Sequence, residues 1–168
     1  MIIRNSTLQD IDEIFKIYDE ASAYKLKVGN KGWKGFEVEQ VQKEIDEKRH
    51  FVIVEEDKIA CTFLITFHDD LIWKNSENDS AIYIHRIATN PLFRGKSYVT
   101  KIIDWVKNYG KQHNVEFIRL DTHCGNDRLN NYYVKCGFTY KGDTEIDWTP
   151  DLPEHYKDGA MSLFEIKL

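Results

Sequence analysis

The chain has 168 residues, of which 42% are hydrophobic and 30% are charged, and its formal net charge is −5. This length allows one well-buried core but not two ordinary domains, so we expect a single domain over residues 1–168. The nearly balanced charge creates no strong field for nucleic acid or an anionic membrane, and neither partner is expected. The first residues lack a signal-peptide pattern and no apolar run approaches about 20 residues, which predicts a cytoplasmic protein.

The cysteines, Cys61, Cys124 and Cys136, are odd in number and form no C-x-x-C pair. A disulfide framework needs paired cysteines, and a structural zinc site needs closely spaced ligands. The sequence shows neither pattern. The cysteines are therefore expected to be buried thiols, and no metal is expected.

The first half of the chain alternates between strand and helix patterns. An apolar run over residues 1–4 is typical of a strand, and apolar residues at helical spacing over 8–21 predict an amphipathic helix. Residues 25–36 are rich in glycine and lysine, which favours a loop. A second amphipathic helix is predicted over 37–48. The β-branched and aromatic residues of 51–67 predict two strands joined by a tight turn.

The central stretch, residues 82–107, has the pattern of a strand, a basic loop and an amphipathic helix. A further strand is predicted over 116–121, and a strand, a helix and a strand in this order make a right-handed crossover with parallel strands. A second helix is predicted over 126–136, with Gly137 as its stop. The side chains of this helix that are expected to face the core are Leu129, Tyr132, Tyr133 and Cys136. Three strand-like pieces follow, over 138–142, 144–148 and 160–168.

A short cationic turn lies between the central strand and its helix, formed by Arg94, Gly95, Lys96 and Ser97. Backbone N–H groups that lead into a helix N-terminus bind phosphate, so this turn predicts a ligand that contains phosphate. Gly-Lys-Ser also ends the P-loop motif G-x-x-x-x-G-K-[ST], but the position of its first glycine is Asn90. The G-x-G-x-x-G dinucleotide motif is absent as well. The sequence therefore argues against a nucleoside triphosphate and against a dinucleotide.

Two stretches together resemble the GCN5-related N-acetyltransferase (GNAT) family. Its signature is an R/Q-x-x-G-x-G/A loop between a strand and a helix, followed by a strand, an asparagine and a Y-x-K-x-G-F-like segment. The matching stretches here are IATNPLFRGKSYV, residues 87–99, and NDRLNNYYVKCGF, residues 126–138. The strong resemblance covers about half of the chain, from near Ile82 to Phe138. The second stretch is the more specific, and its matching residues are Asn126, Leu129, Tyr133, Lys135, Gly137 and Phe138.

The resemblance implies an α+β fold in three layers. It implies a mixed, mostly antiparallel, twisted sheet of six to seven strands flanked by about four helices, with a central parallel pair of strands that splays apart. It also implies acetyl-CoA as cosubstrate, with its pantetheine arm on the main chain of the central strand and its pyrophosphate on the loop before the helix. The implied coenzyme-binding residues are Ile87, Ala88, Thr89, Arg94, Gly95, Lys96, Ser97, Tyr98, Val99, Asn126 and Tyr133.

Ser97 and Val99 stand where the family has Gly and then Gly or Ala. Glycine is used where a backbone must approach a ligand closely or adopt a positive φ. This departure leaves two functions open. One is an acetyl-CoA-dependent N-acetyltransferase, and the other is a non-catalytic acyl-CoA-binding or regulatory module of the same fold. Tyr133 favours the enzyme, because a binding module needs no proton donor there.

The resemblance implies direct transfer of an acetyl group from the thioester to a primary amine. Tyr133 matches the family's general acid, and a phenol with a pKa of about 10 can return a proton to a thiolate at neutral pH. His85 is the candidate base, because regular strand alternation would place it on the same face as Ile87. Tyr83 shares this face and could hold a water molecule that takes the place of a histidine base.

The sequence leaves the acceptor amine open. The resemblance places its pocket among the loop 25–36, the segment around Trp73 and the loop 143–159. A small-molecule amine is slightly favoured, such as a polyamine or an aminoglycoside, while a protein N-terminus, a lysine or an amino acid also stays open. The acidic residues that would suit a cationic amine are Asp143, Glu145, Asp147, Asp151, Glu154 and Asp158.

The candidate substrate-binding residues are Trp33, Trp73, Tyr83 and Asp147. A structural interpretation of both tryptophans is also open: Trp33 would pack back on the core, and Trp73 would shield a hairpin edge. The C-terminal strands leave edges that could pair in a homodimer.

Overall fold

The computed structural model describes residues 1–29, 31–33, 36–74, 79–150, 152, 154–157 and 159–168. The described residues form seven β-strands and four α-helices. The strands are β1 (Ile2–Asn5), β2 (His50–Glu55), β3 (Lys58–Thr66), β4 (Ala81–Thr89), β5 (Phe117–His123), β6 (Thr139–Glu145) and β7 (Ala160–Lys167). The helices are α1 (Ile11–Lys27), α2 (Val38–Asp46), α3 (Tyr98–Gln112) and α4 (Asp127–Lys135).

The strands form a sheet with the order β1-β2-β3-β4-β5-β7-β6. The pairs β1–β2, β2–β3, β5–β7 and β6–β7 are antiparallel, and β4–β5 is parallel. A parallel pair needs a crossover, which α3 supplies between these two strands. The predicted α+β fold, with a mixed and mostly antiparallel sheet and four helices, is confirmed.

The parallel pair is formed only at its beginning. Ala81–Tyr83 of β4 pairs with Phe117–Arg119 of β5. β4 continues to Thr89 and β5 continues to His123 without further residues in this pair. Strands that leave a ladder release main-chain N–H and C=O groups for other partners. The predicted splay of the central pair is therefore confirmed.

The chain is built of two compact units. The first contains residues 1–65, 86–98 and 153–155, and the second contains residues 66–85, 99–152 and 156–168. The boundary between the units lies within β4, directly after His85.

The core of the first unit joins α1 and α2. Ile14 and Ile17 of α1 are fully buried and belong to one cluster with Val41 and Ile45 of α2. Their three- and four-residue spacing is the pattern that predicted both helices. Full burial of each such side chain contributes about 1.5–3 kcal/mol to stability.

The turn that precedes α1 is fixed by Asp10. Its Oδ2 accepts hydrogen bonds from the backbone N–H of Thr7 at 2.7 Å and from the Thr7 hydroxyl at 2.9 Å. Arg4 forms an ion pair with the same carboxylate at 2.7 Å, and this hydrogen-bonded pairing lowers the pKa of Asp10 to about 2. The short segment between β1 and α1 is thereby held in one conformation.

The second unit contains α3, α4 and the C-terminal strands. Ile102, Ile103 and Val106 of α3 are buried, as is Phe164 of β7. β7 pairs with β5 along its length, from Phe117–Lys167 to His123–Met161. Among the described helices, none combines the length and the apolar composition needed to cross a bilayer.

Two sequence-based boundaries are wrong. α1 continues to Lys27, into the loop predicted from Lys25, because lysine and leucine favour helix and Gly29, with a φ of 79°, is the first residue suited to stop it. Residues 138–142 and 144–148 were predicted as separate pieces but share the strand β6. Gly142 adopts a φ of 103° and shifts the register there, so the strand bulges and continues.

Candidate active site

The middle of β4 is distorted at Arg86, which has a φ of 51° although it is not a glycine. Its guanidinium forms an ion pair with Glu44 of α2, and both side chains are buried. The guanidinium also lies 4.8 Å from the centre of the Phe36 ring. A positive φ interrupts the alternation of side chains along a strand. The regular alternation that predicted a shared face for His85 and Ile87 is therefore not present in β4.

The end of β4 is formed by Ile87, Ala88 and Thr89. The Ala88 side chain is buried in the core cluster of the first unit. The Thr89 hydroxyl lies 3.7 Å from the sulfur of Cys61. Because these side chains are engaged within the unit, this segment offers its main-chain groups to a ligand. Contact with a pantetheine arm stays a prediction.

The loop before α3 contains two residues in the left-handed conformation, Gly95 with a φ of 83° and Ser97 with a φ of 55°. Ser97 thus adopts a backbone that is usual for glycine. The space beside Gly95 is open, since a Cβ there would meet no atom within 4 Å. Tyr98 begins α3, whose N-terminal N–H groups carry a partial positive charge. An open backbone beside a helix N-terminus fits a pyrophosphate.

Val99, the other departure from the family pattern, does not obstruct this loop. Its side chain is 9% exposed and therefore faces the interior of the protein. Ser97 is exposed, and its side chain is small. Both substitutions are compatible with the coenzyme A pyrophosphate that the family pattern implies.

The two cations of the loop have different surroundings. The Lys96 ammonium lies 2.7 Å from one oxygen of Glu55, and the Tyr98 hydroxyl donates to the other oxygen at 2.8 Å. The Glu55 carboxylate raises the pKa of Lys96, while burial and then this hydrogen bond raise the pKa of Tyr98. Arg94 is exposed, lies 4.2 Å from the centre of the Tyr24 ring and has no carboxylate partner among the described residues. Arg94, more than Lys96, is therefore the cation available to a phosphate.

Asn126 and Tyr133, the residues of the more specific motif, belong to α4 and its cap. Asn126 caps the helix, since its side-chain oxygen accepts a hydrogen bond from the backbone N–H of Leu129 at 3.1 Å. Tyr133 is half-buried, with its ring centre 5.4 Å from that of Phe164 and 6.1 Å from that of Phe138. These aromatic contacts fix the ring of Tyr133. Its role as general acid stays a prediction.

Tyr132 was predicted to face the core beside Tyr133, and this is wrong. Tyr132 is 37% exposed, and α4, all of which is described, has no fully buried residue. Successive residues point about 100° apart around a helix, so only one of two adjacent tyrosines can pack squarely against the sheet. In α4 that residue is Tyr133.

His85 lies between two carboxylates of the second unit. Its Nε2 is 3.6 Å from Oδ2 of Asp69, and its Nδ1 is 3.7 Å from Oδ1 of Asp121. The Thr66 hydroxyl oxygen lies 3.3 Å from the same Nε2. Carboxylates beside an imidazole stabilise its protonated form, which is what a base that accepts a proton requires.

The pKa of Asp69 is raised by its position in this cluster. Burial raises its pKa to about 8, with a further contribution from Asp121. Asp121 accepts a hydrogen bond from the Tyr156 hydroxyl at 3.2 Å. The Asp69 carboxyl therefore tends to keep its proton at neutral pH unless a positive charge lies nearby.

Trp33 packs back on the core of the first unit, as its structural interpretation proposed. Its ring centre lies 5.8 Å from that of Tyr18, and the Lys25 ammonium lies 3.9 Å from the ring centre. Its role in acceptor binding stays a prediction. The predicted loop residues Lys34, Gly35, Asp151 and Asp158 lie outside the described residues.

Trp73 and Tyr83 are interior residues of the second unit, with exposed fractions of 5% and 1%. Arg119 donates to the Tyr83 hydroxyl at 3.0 Å, and its guanidinium lies 4.6 Å from the centre of the Trp73 ring. Asp147 is exposed and pairs with Lys74 at 2.7 Å. All of these side chains have structural partners, and their roles in acceptor binding stay predictions.

The sequence patterns did not indicate Glu55, Asp69 or Asp121. Asp121 lies in the second half of β5, which runs parallel to β4, and the carboxyl ends of parallel strands meet at one edge of a sheet. That rule was the available signal for Asp121. Glu55 and Asp69 reach their partners from distant segments, so only the folded chain brings these groups together.

Comparisons with known proteins bear on the family and the fold. The model of the Acetyltransferase (GNAT) family matches residues 11–138. The chain is similar to an uncharacterised N-acetyltransferase, YesJ, of Bacillus subtilis (strain 168), with 20% identity over 142 residues, 80% of this chain and 79% of that protein.

Solved acetyltransferases share the fold. A GNAT-family acetyltransferase from Listeria monocytogenes 4b F2365 has a TM-score of 0.80 and 23% identity, with 99% of this chain and 94% of that chain covered. A putative acetyltransferase from Salmonella typhimurium, yncA, solved with its cofactor acetyl-CoA, has a TM-score of 0.69 and 11% identity, with 100% and 94% covered. Because the family match extends over most of the sequence and includes both motif stretches, the chain belongs to the Acetyltransferase (GNAT) family.

Proposed function

We propose that this chain is an acetyl-CoA-dependent N-acetyltransferase that moves an acetyl group to a primary amine. The observation that carries the proposal is the loop before α3, in which Ser97 adopts the left-handed backbone and Val99 is buried. This backbone geometry, in a member of an acetyltransferase family, supports a loop that binds a pyrophosphate. The proposal treats residues 1–168 as a single catalytic domain.

The loop and the end of β4 would hold acetyl-CoA, which supplies the acetyl group as a reactive thioester. Backbone N–H groups of residues 95–99 bind the pyrophosphate, and Arg94 adds a positive charge. The main chain of residues 87–89 binds the pantetheine arm. A backbone N–H near Ala88 or Thr89 donates to the thioester oxygen and stabilises the negative charge that develops there. Asn126 and Tyr133 complete the predicted coenzyme-binding residues.

Two side chains would move the protons of the reaction. His85 accepts a proton from the protonated acceptor, which leaves a neutral amine whose lone pair forms the new N–C bond. Tyr133 donates its hydroxyl proton to the sulfur that leaves as the C–S bond breaks. The nitrogen gives up a second proton as the amide forms, and the phenolate regains one. The balance is one acetylated amine, one free thiol and one released proton.

The proposal is tested in two steps. Thermal unfolding is first measured with acetyl-CoA, which at about 100-fold over its Kd should add about 2.7 kcal/mol of stability. Release of free CoA is then measured across a panel of primary amines that includes a polyamine, an aminoglycoside, an amino acid and a short peptide. We expect acetyl-CoA to stabilise the chain and at least one amine of the panel to cause release of free CoA.

The same experiment separates the alternative function. Stabilisation by acetyl-CoA without turnover on any amine would favour a non-catalytic acyl-CoA-binding module. A lack of stabilisation would contradict both functions. A cytoplasmic location, a homodimer and the preference for a small-molecule acceptor stay predictions.

A further inference from the structure

A cluster of three polar side chains lies inside the second unit. Asp69 comes from the segment after β3, His85 from β4 and Asp121 from β5, and their side chains are 10%, 14% and 5% exposed. One nitrogen or oxygen atom of each lies within 4.8 Å of the others. Two carboxylates removed from water at such a distance repel each other, so the pair needs a proton or a compensating positive charge.

One oxygen of Asp69 is buried without a partner. Its Oδ2 forms no hydrogen bond to any described residue. This atom faces Nε2 of His85 at 3.6 Å, which is longer than a hydrogen bond. A buried polar atom without a partner calls for an explanation, and a ligand that donates a hydrogen bond supplies one.

The electrostatics of the cluster favour a positive charge. Burial, and then the neighbouring carboxylates, raise the pKa of Asp69 to about 8. The Thr66 hydroxyl lies 3.3 Å from His85, and the Tyr156 hydroxyl donates to Asp121 at 3.2 Å, and both are neutral groups. A cation between the two carboxylates would stabilise the ionised form of each.

An alkylammonium group has the matching charge and geometry. It carries one positive charge and three N–H donors. Three acceptors placed about 2.8 Å from one nitrogen in tetrahedral directions lie about 4.6 Å apart. The three residues of the cluster each offer one atom within 4.8 Å of the others, so a single nitrogen can reach all three. The histidine that would take a proton from this group is a member of the same cluster.

We infer that Asp69 and Asp121 bind the ammonium group of the acceptor beside His85, and that the acceptor is a primary alkylamine with a positive charge at neutral pH. This inference rests on the proposed acetyl transfer. The negative charges that bind the acceptor are then those of the interior cluster, whereas the sequence had suggested the acidic residues of the loop 143–159. Within that loop, Asp147 is paired with Lys74.

The first test measures binding to the cluster directly. Methylammonium chloride is added to the full chain as the smallest alkylammonium, and the ring resonances of His85 are followed by NMR. We expect a saturable shift that methanol and sodium chloride do not produce. Asp69→Asn should weaken this response at least about tenfold, because it removes the charge-assisted hydrogen bond. Asp70→Asn makes the same change at the exposed neighbouring position and should keep the response.

Two further measurements guard against a folding defect. Asp69→Asn replaces a buried carboxyl group by a neutral amide of similar size, so its thermal unfolding midpoint should equal or exceed that of the wild type. Asp121→Asn removes the partner charge and should also weaken the methylammonium response. Agreement of the two variants assigns the response to the cluster.

The second test measures turnover with methylamine, benzylamine and 1,4-diaminobutane, which are charged at neutral pH, and with aniline, which is neutral. For each charged amine that is acetylated, Asp69→Asn should raise KM at least about tenfold, while KM for acetyl-CoA changes by less than about twofold. Asp70→Asn should match the wild type. Aniline should be the poorest acceptor of the set.

The outcomes separate this inference from the proposed function. An ammonium site is contradicted if methylammonium causes no shift of the His85 resonances, or if it causes the same shift in Asp69→Asn as in the wild type. It is also contradicted if zinc chloride shifts these resonances and methylammonium does not. If charged amines are acetylated and Asp69→Asn leaves their KM unchanged, the ammonium site is contradicted as well, while the acetyltransferase function stands. Methylammonium binding at Asp69 without stabilisation by acetyl-CoA contradicts the proposed function instead.

Discussion

Tyr133 is the residue on which the proposed proton transfer to sulfur depends. Its ring is held near Phe138 and Phe164, so Tyr133→Phe keeps this packing and removes only the donor. We expect kcat to fall about 10²-fold or more, with little change in KM for acetyl-CoA. Tyr132→Phe, the same change at the exposed neighbour, should leave kcat unchanged. A fall of less than about tenfold in Tyr133→Phe would reject the assignment.

At the residue scale, the local motifs could be predicted and the long-range contacts could not. Asn126 and Tyr133 lie within one short stretch, so the chain order alone displays their spacing. His85 was singled out as a histidine on a central strand. Its neighbours Asp69 and Asp121 come from separate segments, and only the fold brings them within 3.6 and 3.7 Å of the ring.

The loop before α3 depends on the backbone of Ser97, whose φ is 55°. A β-branched side chain in the left-handed region costs about 1–2 kcal/mol, so Ser97→Val should pull the loop out of shape and raise the Kd for acetyl-CoA about tenfold. Ser97→Gly relieves the same strain and should bind at least as tightly as the wild type. Calorimetric titration with acetyl-CoA measures both. Equal affinities of the valine and glycine variants would show that this backbone does not shape the cradle.

The distortion of β4 depends on the buried ion pair between Arg86 and Glu44. Glu44→Gln leaves a buried guanidinium without its anionic partner, which should cost about 3 kcal/mol of unfolding free energy. Glu39→Gln makes the same change at an exposed position of α2 and should cost less than about 0.5 kcal/mol. Urea unfolding measures the difference. Similar losses in both variants would mean that the buried pair does not stabilise the first unit.

At the element scale, periodicity predicted the helices and the strand order around the central loop, because one face of each element is buried. The distortion at Arg86 could not be predicted. A positive φ at a residue other than glycine depends on partners distant in the chain, here Glu44 and Phe36. The joining of two predicted pieces into β6 was missed for a related reason. Residues 138–142 and 144–148 were predicted as separate pieces, whereas β7 pairs with β6 on both sides of Gly142.

The stability of the whole molecule should depend on pH through His50. This side chain is fully buried, with Nδ1 2.7 Å from the Ser6 hydroxyl and Nε2 2.8 Å from the Tyr18 hydroxyl. Burial, and then the charge of Arg86, lower its pKa to about 3. The unfolded chain takes up a proton at His50 below about pH 6.5, whereas the folded chain does not until about pH 3. Stability should therefore fall by up to about 1.4 kcal/mol per unit as pH decreases through this window.

His50→Gln isolates this effect. Asp69 has a raised pKa of about 8 and contributes a slope of opposite sign, since the folded chain then binds more protons than the unfolded one. That contribution is present in both proteins and cancels in their difference. Urea unfolding between pH 6.5 and pH 5 should give a smaller decrease for His50→Gln than for the wild type. Parallel curves would show that His50 takes up its proton equally in the folded and unfolded chains.

At the scale of the whole molecule, the sequence was sufficient for the fold class and the family. The crossover around α3 and the motif of α4 lie in continuous stretches, and the sheet order β1-β2-β3-β4-β5-β7-β6 follows the fold that those stretches imply. The acceptor could not be predicted in the same way. Its proposed counter-charge depends on side chains from three separate segments, which no continuous sequence pattern connects.

The most direct test of the central claim is a mass balance. The full chain is incubated with acetyl-CoA and a charged primary amine, and the products are quantified by mass spectrometry together with a thiol assay. We expect one acetylated amine for each free CoA, with both products formed about 10²-fold or more slowly in Tyr133→Phe. Release of CoA without acetylated amine, or formation of neither product with any amine of the panel, would contradict the account.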